Sequence, residues 1–301
     1  MKKLSTQLQS VIRVKNLSKM GRLLNNPIKY LYALYTRFVL YPITKKGKIT
    51  TAKTFFGDSI HLLLPAGTDI YLTGGKSHDS ELRLSSFIID RLEEGNLFVD
   101  VGAHFGFFSL LASKIVGDAG RVIAYEGGQH TYEVLNKNVK LKSNIQSINK
   151  VVSNTQGEIS FYQFPSAYSE YNSLDVEQYK NTAWIKDNPP KVTHMQSVRL
   201  SSSLKDLNAN IIKIDVEGAE MEVLKGLEEY LESNDPIIVI EYLSSARNNK
   251  SHISASKFLK EKKYKSYIII SDGSIEYCSN IEKYMNSANI DSDNIVFIRK
   301  D

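Results

Sequence analysis

Three clusters of residues in this 301-residue sequence have the types and spacing for chemistry. In the first, Val99-Asp100-Val101-Gly102-Ala103-His104-Phe105-Gly106, an apolar run enters a glycine-bearing turn and then a helical pattern. Gly102 removes side-chain bulk where the chain must turn, and Gly106 permits close contact at the helix start, where N–H groups favour a carboxylate or another anion. Asp100, ending the run, can accept from an ammonium or order a water. The second cluster is Ala124-Tyr125-Glu126-Gly127, where an acid at the tip of the next apolar run can accept from both hydroxyls of a ribose. The third comprises Lys213, Asp215, Glu217 and Glu220, with Glu241 ending the run that follows. Carboxylates just past strand ends face a ligand crevice. There they can take a proton from an acceptor hydroxyl, or hold a divalent cation that lowers its pKa. Asp215 and Glu217 are the favoured pair, with Glu217 as base, whereas Glu220 suits the ordinary role of offsetting a helix dipole, worth roughly 0.3 to 1 kcal/mol. Lys213, inside an apolar strand, needs an acidic partner. His104 has the side chain best tuned to base chemistry near neutral pH, but its place in the turn fits shaping the turn or touching the ligand.

The surrounding elements must bring these clusters together. From Leu97 onward short apolar runs alternate with helical patterns: LFVDV, a helix Phe107 to Val116, RVIAYE, a helix Thr131 to Leu141, and a run through Ile148 to Val152. The pattern resumes with IIKID, a helix from Ala219 to Leu231, PIIVIEY, a helix around Ser254 to Lys262, and strands near Tyr267 to Ile270 and Ile295 to Ile298. Such alternation predicts an α/β fold with a mostly parallel sheet of seven strands, helices on both faces, and a ligand at the carboxyl ends of the strands. Upstream, apolar spacing predicts a helix from Glu81 to Leu92 with Gly95 as its C-cap, and residues 48–80 read as a small β cap. Residues 1–47 read as a helical extension. Residues 81–301 form the main domain, interrupted at 157–208 by a strand and a Tyr-, Asn- and Pro-rich stretch that suits a lid or acceptor-binding segment. Glu81, at the start of its helix, is placed to reach an amino group of the ligand.

VDVGAHFGFFSLLAS, VIAYEGG, and IIKIDVEGAEMEVLKGLEEYL followed by PIIVIEY together resemble the FkbM family of S-adenosylmethionine-dependent methyltransferases, over residues 80–245. The resemblance implies the class I methyltransferase Rossmann-like fold. It also implies S-adenosylmethionine as cofactor, with Asp100, Gly102, Ala103 and Gly106 around its methionine half, Glu126 on its ribose, and Asn172 in a lid folded nearby; His104, by its place in the turn, is expected to touch the same cofactor. O-methylation of a sugar, glycan or secondary-metabolite hydroxyl follows as the expected reaction. The sequence departs from the family at His104, often Asn, at Gly127, usually Pro, and at Ser201, commonly Asp. A nicotinamide-dependent oxidoreductase is the rival enzyme class, disfavoured because the turn reads G-x-x-x-G and not G-x-G-x-x-G. A non-catalytic binding protein is disfavoured by the intact acids.

Composition narrows the partners. Apolar and charged fractions of 42% and 24% are ordinary for a globular chain. A net charge of +5 without a basic aromatic stripe argues against nucleic acid. The single cysteine, Cys278, excludes an intrachain disulfide and a thiolate metal cluster; with no secretory leader visible, it suits the cytoplasm. No H-E-x-x-H or EF-hand loop is present, so a divalent metal is a secondary option. Residues 28–43, IKYLYALYTRFVLYPI, are too short to span a bilayer and carry Lys29 and Arg37. That helix is expected either to dock on the domain or a second copy, or to touch a membrane peripherally.

Overall fold

Runs of Val, Ile and Leu without a polar face need cover on both sides, which a parallel sheet flanked by helices provides. The structure is a computed structural model describing residues 2–179 and 182–299. A hairpin of β1 (Lys48–Lys53) and β2 (Ser59–Leu64) precedes the main sheet strands β3 (Leu97–Val101), β4 (Arg121–Tyr125) and β5 (Ile145–Ile148). Three strands, β6 (Val151–Val152), β7 (Gly157–Gln163) and β8 (Lys191–Val198), then form a separate small sheet. The main sheet resumes with β9 (Ile211–Ile214), β10 (Ile237–Leu243), β11 (Tyr264–Ile269), β12 (Ile275–Tyr277) and β13 (Ser292–Arg299). Its order is β12-β11-β13-β10-β9-β3-β4-β5. Strands β5, β4, β3, β9 and β10 are parallel, and β13 runs antiparallel between β10 and β11. This is the class I methyltransferase arrangement, with the short β12 added at one edge. The order reverses between β3 and β9, so a crevice opens beyond their carboxyl ends.

Strand alternation divides the core. Phe98, Val122, Ala124, Ile211 and Val239 face one layer, covered by the helices Asp79–Arg91 and Phe107–Val116. Val99, Val101, Ile123, Ile212 and Ile214 face the other, under Glu220–Leu227, Lys250–Glu261 and Ile281–Ala288. The N-terminal helix Lys2–Lys15 inserts Leu8 and Val11 into the first layer, and Lys15 pairs with Asp79. After a short helix, Lys19–Asn25, the stretch expected as one aromatic helix is Pro27–Tyr35, a wider π turn Thr36–Leu40, and Tyr41–Thr44. It docks on the domain through Ala33, Thr36 and Tyr41, and the Tyr32 and Tyr71 rings meet at 6.1 Å.

Several expectations shift. The helix expected at Glu81 begins at Asp79 and stops after Arg91, because Leu92 turns extended and is fully buried. Gly95 is therefore not its C-cap; it sits at φ +84° in the next turn and donates to the Val116 carbonyl. Residues 48–80 are only partly β, since beyond the hairpin Ile70 and Tyr71 bury one side of a helix, Thr68–Thr73. The run 148–152 divides between two sheets: β5 ends at Ile148, and Val151–Val152 pairs with β8. The expected insertion 157–208 includes residues 180 and 181, which lie outside the described residues. Within it β7 pairs antiparallel with β8, a strand the sequence reading did not separate from its polar surroundings. Between them Phe164, Tyr168, Tyr171 and Tyr179 gather around Trp184, with the Tyr168 and Trp184 rings stacked at 4.8 Å.

Gly226 shows how tightly this lid sheet is tied to the domain. A Cβ there would lie 2.1 Å from the Ser153 carbonyl oxygen. Ser201 donates its hydroxyl to the Gly226 carbonyl at 2.7 Å. Ala in a helix interior ordinarily gains up to about 1 kcal/mol over Gly. Here overpacking of about 1 to 3 kcal/mol reverses the sign. Gly226→Ala is expected to lower the melting temperature by several degrees in a thermal unfolding scan, and a rise would show that the two segments can separate at no cost.

Candidate active site

The turn after β3 is built on left-handed backbone that favours glycine. Gly102, His104 and Gly106 all have positive φ (+80°, +50° and +84°). A Cβ on Gly102 would stand 1.8 Å from the Asp215 carbonyl oxygen, so the turns after β3 and β9 are pressed together at the switch point. The expectation of free N–H groups is narrowed at three positions of the turn. The amides of Gly102 and Ala103 both donate to the Tyr125 carbonyl (3.0 and 2.9 Å), and Gly106 donates to Ala103, so these N–H groups are already committed. The reason is geometric: the turn folds back onto the end of β4.

Glu126 closes that arrangement. Its Oε2 accepts from the His104 amide at 2.9 Å and its Oε1 from the Gly128 amide at 2.8 Å. Burial pushes its carboxyl up to about 7 in spite of both donors. The acid is thus aimed by backbone, with lone pairs left for a diol.

Beneath the crevice floor is a buried chain of charge. Lys213 is 3% exposed, with its Nζ 3.1 Å from Asp215 Oδ2 and 3.5 Å from Asp100 Oδ1, and lies over the Phe108 ring. Asp100 also accepts from Ser109 at 2.6 Å. Burial alone would discharge the lysine, but Asp215 and Asp100 hold its pKa above the usual value. Burial would raise Asp215, yet Lys213 and Lys76 outweigh it and keep that carboxylate ionised.

Asp215 opens onto a cavity of about 1220 Å³ together with Glu217 and Glu241. The three offer oxygens within 4.8 Å of one another. Three such carboxyls do not all ionise. Burial, then the Asp215 charge, pushes Glu217 up to about 8, and Glu241 rises well above the ordinary range by burial and by both neighbours. The lid grips the Glu217 turn. The Tyr179 hydroxyl donates to Glu217 Oε2, while Ser173 Oγ and Gln178 Nε2 each donate to its carbonyl at 2.7 Å. Glu220 is not on the cavity wall: fully buried, it accepts from the Gly218 amide at 3.0 Å and faces His252 at 3.2 Å, as a helix-end acid does.

The other sequence-selected residues divide by position. Glu81, Gly102, His104, Glu126, Asn172, Asp215 and Glu217 border the cavity. Asp100, Ala103 and Gly106 do not; they lie one layer below, where they shape the wall. His104 is a poor base, because burial and then the Lys76 charge lower its pKa to about 3; its Nε2 lies 3.0 Å from Ser169 Oγ. Asn172 accepts from the Phe164 amide at 2.8 Å within the lid, and its Nδ2 lies 3.5 Å from Thr131 Oγ1 in the helix that follows Glu126. Glu81 faces an ammonium already present, that of Lys76 at 2.6 Å. Lys76, Asp69 and Glu170 form a second charged group on the cavity wall that sequence reading missed. They come from a glycine-flanked loop, a short helix and the lid, and no spacing in the chain links them.

Residues 100–269 match the Methyltransferase FkbM domain. Methyltransferase sdnD of Sordaria araneosa is 28% identical over 166 residues, covering 47% of this chain and 64% of that protein. Hexuronic acid methyltransferase AglP of Haloferax volcanii is 26% identical over 153 residues, covering 50% of this chain and 58% of its own length. The chain thus spans about six-tenths of the length of these relatives. Among solved structures, the methyltransferase FkbM from Methylobacillus flagellatus superposes with a TM-score of 0.41 at 14% identity, covering 77% of this chain and 52% of that one. A SAM-dependent O-methyltransferase from Thermotoga maritima gives 0.42 at 14% identity, covering 84% and 78%. With the matched domain taking up more than half of its residues, and with that domain's sheet order and crevice in place, the chain belongs to the FkbM methyltransferase family.

Proposed function

We propose that this chain is an S-adenosylmethionine-dependent O-methyltransferase whose acceptor is the hydroxyl of a sugar or a similarly polyhydroxylated compound. One observation carries the reading: Glu126 and the Asp215–Glu217–Glu241 trio, on strand tips either side of the switch point, open onto one cavity. Its volume of about 1220 Å³ exceeds the several hundred Å³ usual for one small ligand, so a cofactor and an acceptor can share it. The residues fit the cofactor by their chemistry: Glu126 is an acceptor for a ribose diol, and Asp215 is an ionised carboxylate suited to a cationic centre. S-adenosylmethionine supplies an electrophilic methyl group on a sulfonium. What the chain supplies is placement and proton removal. Glu217 can take the acceptor proton, since a carboxylate with its pKa raised toward 8 is a stronger base than an ordinary one. Tyr168 and Tyr171 on the cavity wall, each stacked on Trp184, offer aromatic surfaces to an acceptor. The hexuronic acid acceptor in the name of one relative supports a carbohydrate here. The cationic Arg37 and Lys45 on the cavity wall suit an acceptor that itself carries a carboxylate.

Calorimetric titration with S-adenosylhomocysteine and with NAD tests the class. Micromolar binding of the first and none of the second is expected, with Glu126→Ala weakening binding at least about a hundredfold, as loss of paired hydrogen bonds to a diol implies. Binding of NAD alone would overturn the reading. With a methyl glucuronoside as acceptor, turnover is expected to rise about tenfold per pH unit below about 8 and then level off, because the base must lose its proton to act. Glu217→Gln should abolish that rise and keep S-adenosylhomocysteine binding. An unchanged profile in the variant would remove Glu217 as the base. Turnover is also expected to persist in EDTA, whereas its loss there, with recovery on adding magnesium, would assign the neutralisation of the trio to a cation.

A further inference from the structure

The helical run Pro27–Thr44 borders the cavity with its inner side and, among the described residues, has nothing over its outer one. Arg37, Phe38, Tyr41, Pro42 and Lys45 lie along the cavity wall. Outward, Ile28 is 80% exposed and Ile43 78%, with Leu31, Tyr35 and Val39 between them and Met20 and Leu24 just upstream. Most of the large exposed hydrophobic side chains among the described residues fall between Met20 and Ile43. Monomeric proteins seldom leave so continuous an apolar strip in water.

Charge identifies what covers it. The first 57 residues contain twelve Lys and Arg and no Asp or Glu; in the rest of the chain 26 Lys and Arg are outnumbered by 33 Asp and Glu. Lys19, Arg37, Lys45, Lys46 and Lys48 are exposed, and among the described residues none has a carboxylate within ion-pair distance. A two-fold dimer through this face would set two such acid-free segments against each other, which like-charge repulsion opposes. An anionic lipid surface meets both demands: its headgroups attract the lysines, and its acyl boundary takes the apolar side chains while Tyr35 sits at the level of the headgroups. No helix of the described residues is long and apolar enough to cross a membrane.

We propose that the outer face of the Pro27–Thr44 run docks on an anionic bilayer and turns the cavity mouth toward it, so that the acceptor is an amphipathic, lipid-carried hydroxyl compound. The acceptor class rests on the methyl-transfer reading; the docking does not.

Flotation of the full chain with vesicles tests the surface directly. Binding is expected on phosphatidylcholine vesicles containing about 30% phosphatidylglycerol, and at least about tenfold weaker binding on phosphatidylcholine alone. Leu31→Ser with Ile43→Ser, residues off the cavity wall, should reduce partition about tenfold or more. Lys46→Glu with Lys48→Glu, exposed positions that leave the fold intact, should do the same by charge alone. Three results would overturn the docking: no flotation of folded protein with the anionic vesicles, equal flotation by both double variants, or a concentration-dependent dimer that the serine variant abolishes. Loss of S-adenosylhomocysteine binding with vesicle binding intact would instead strike the methyl-transfer reading and the acceptor class, and leave the surface standing.

Discussion

Lys213 is the residue on which the arrangement turns. Its ammonium lies in the one place where the sheet reverses order, bonded to Asp215 and within ion-pair distance of Asp100. A lone buried charge there would cost several kcal/mol, so the three residues stand or fall together. The tie holds the tips of β3 and β9 at a fixed separation. The backbone contact between Gly102 and Asp215 then leaves no room for the two turns to rearrange. It also fixes the charge of Asp215, and through Asp215 the protonation of its neighbours.

That second effect matters for chemistry. Because Asp215 is held ionised, Glu217 and Glu241 meet a permanent negative charge as well as burial, and both retain protons more firmly than exposed acids do. One buried cation thus converts three similar side chains into a fixed anion and two tunable acids. The lid is part of the same balance, since the Tyr179 hydroxyl donates to Glu217 and opposes the rise. Elsewhere on the cavity wall the pair of Lys76 and Glu81 forms a second charged group, and its charges reach the strand tips: Lys76 helps to keep Asp215 ionised, and Glu81 adds to the rise of Glu241.

Most of the sheet was legible in the sequence because β3, β4, β9 and β10 are largely apolar runs, with Asp100, Lys213 and Glu241 standing out in them, and helical patterns lie between them; β3 and β9 are buried along their whole length. Asp100, Glu126, Asp215 and Glu217 were legible because strand ends are where acids stand out. Their order in depth was not. Nothing in VDVGAHFG shows that Asp100 faces Lys213 below the floor, or that the turn amides close onto Tyr125 instead of facing a ligand. Strand β8 escaped because most of its side chains lie at the surface of a small sheet, where polar residues blur the alternation. The Lys76 group escaped because three distant segments assemble it. Burial, which sets the pKa of His104 and decides against it as a base, has no signature in local sequence at all.

The two halves of the cavity are made of different material. Around Glu126 and Gly102 the wall is backbone, closed by contacts that admit no added atom. Around the lid and the Pro27–Thr44 run it is side chains, Tyr168, Tyr171, Arg37 and Phe38 among them, standing on elements outside the main sheet. Substitution can therefore recast the side-chain half without disturbing the backbone half. A lineage built on this plan is free to vary one end of its cavity while the other stays fixed.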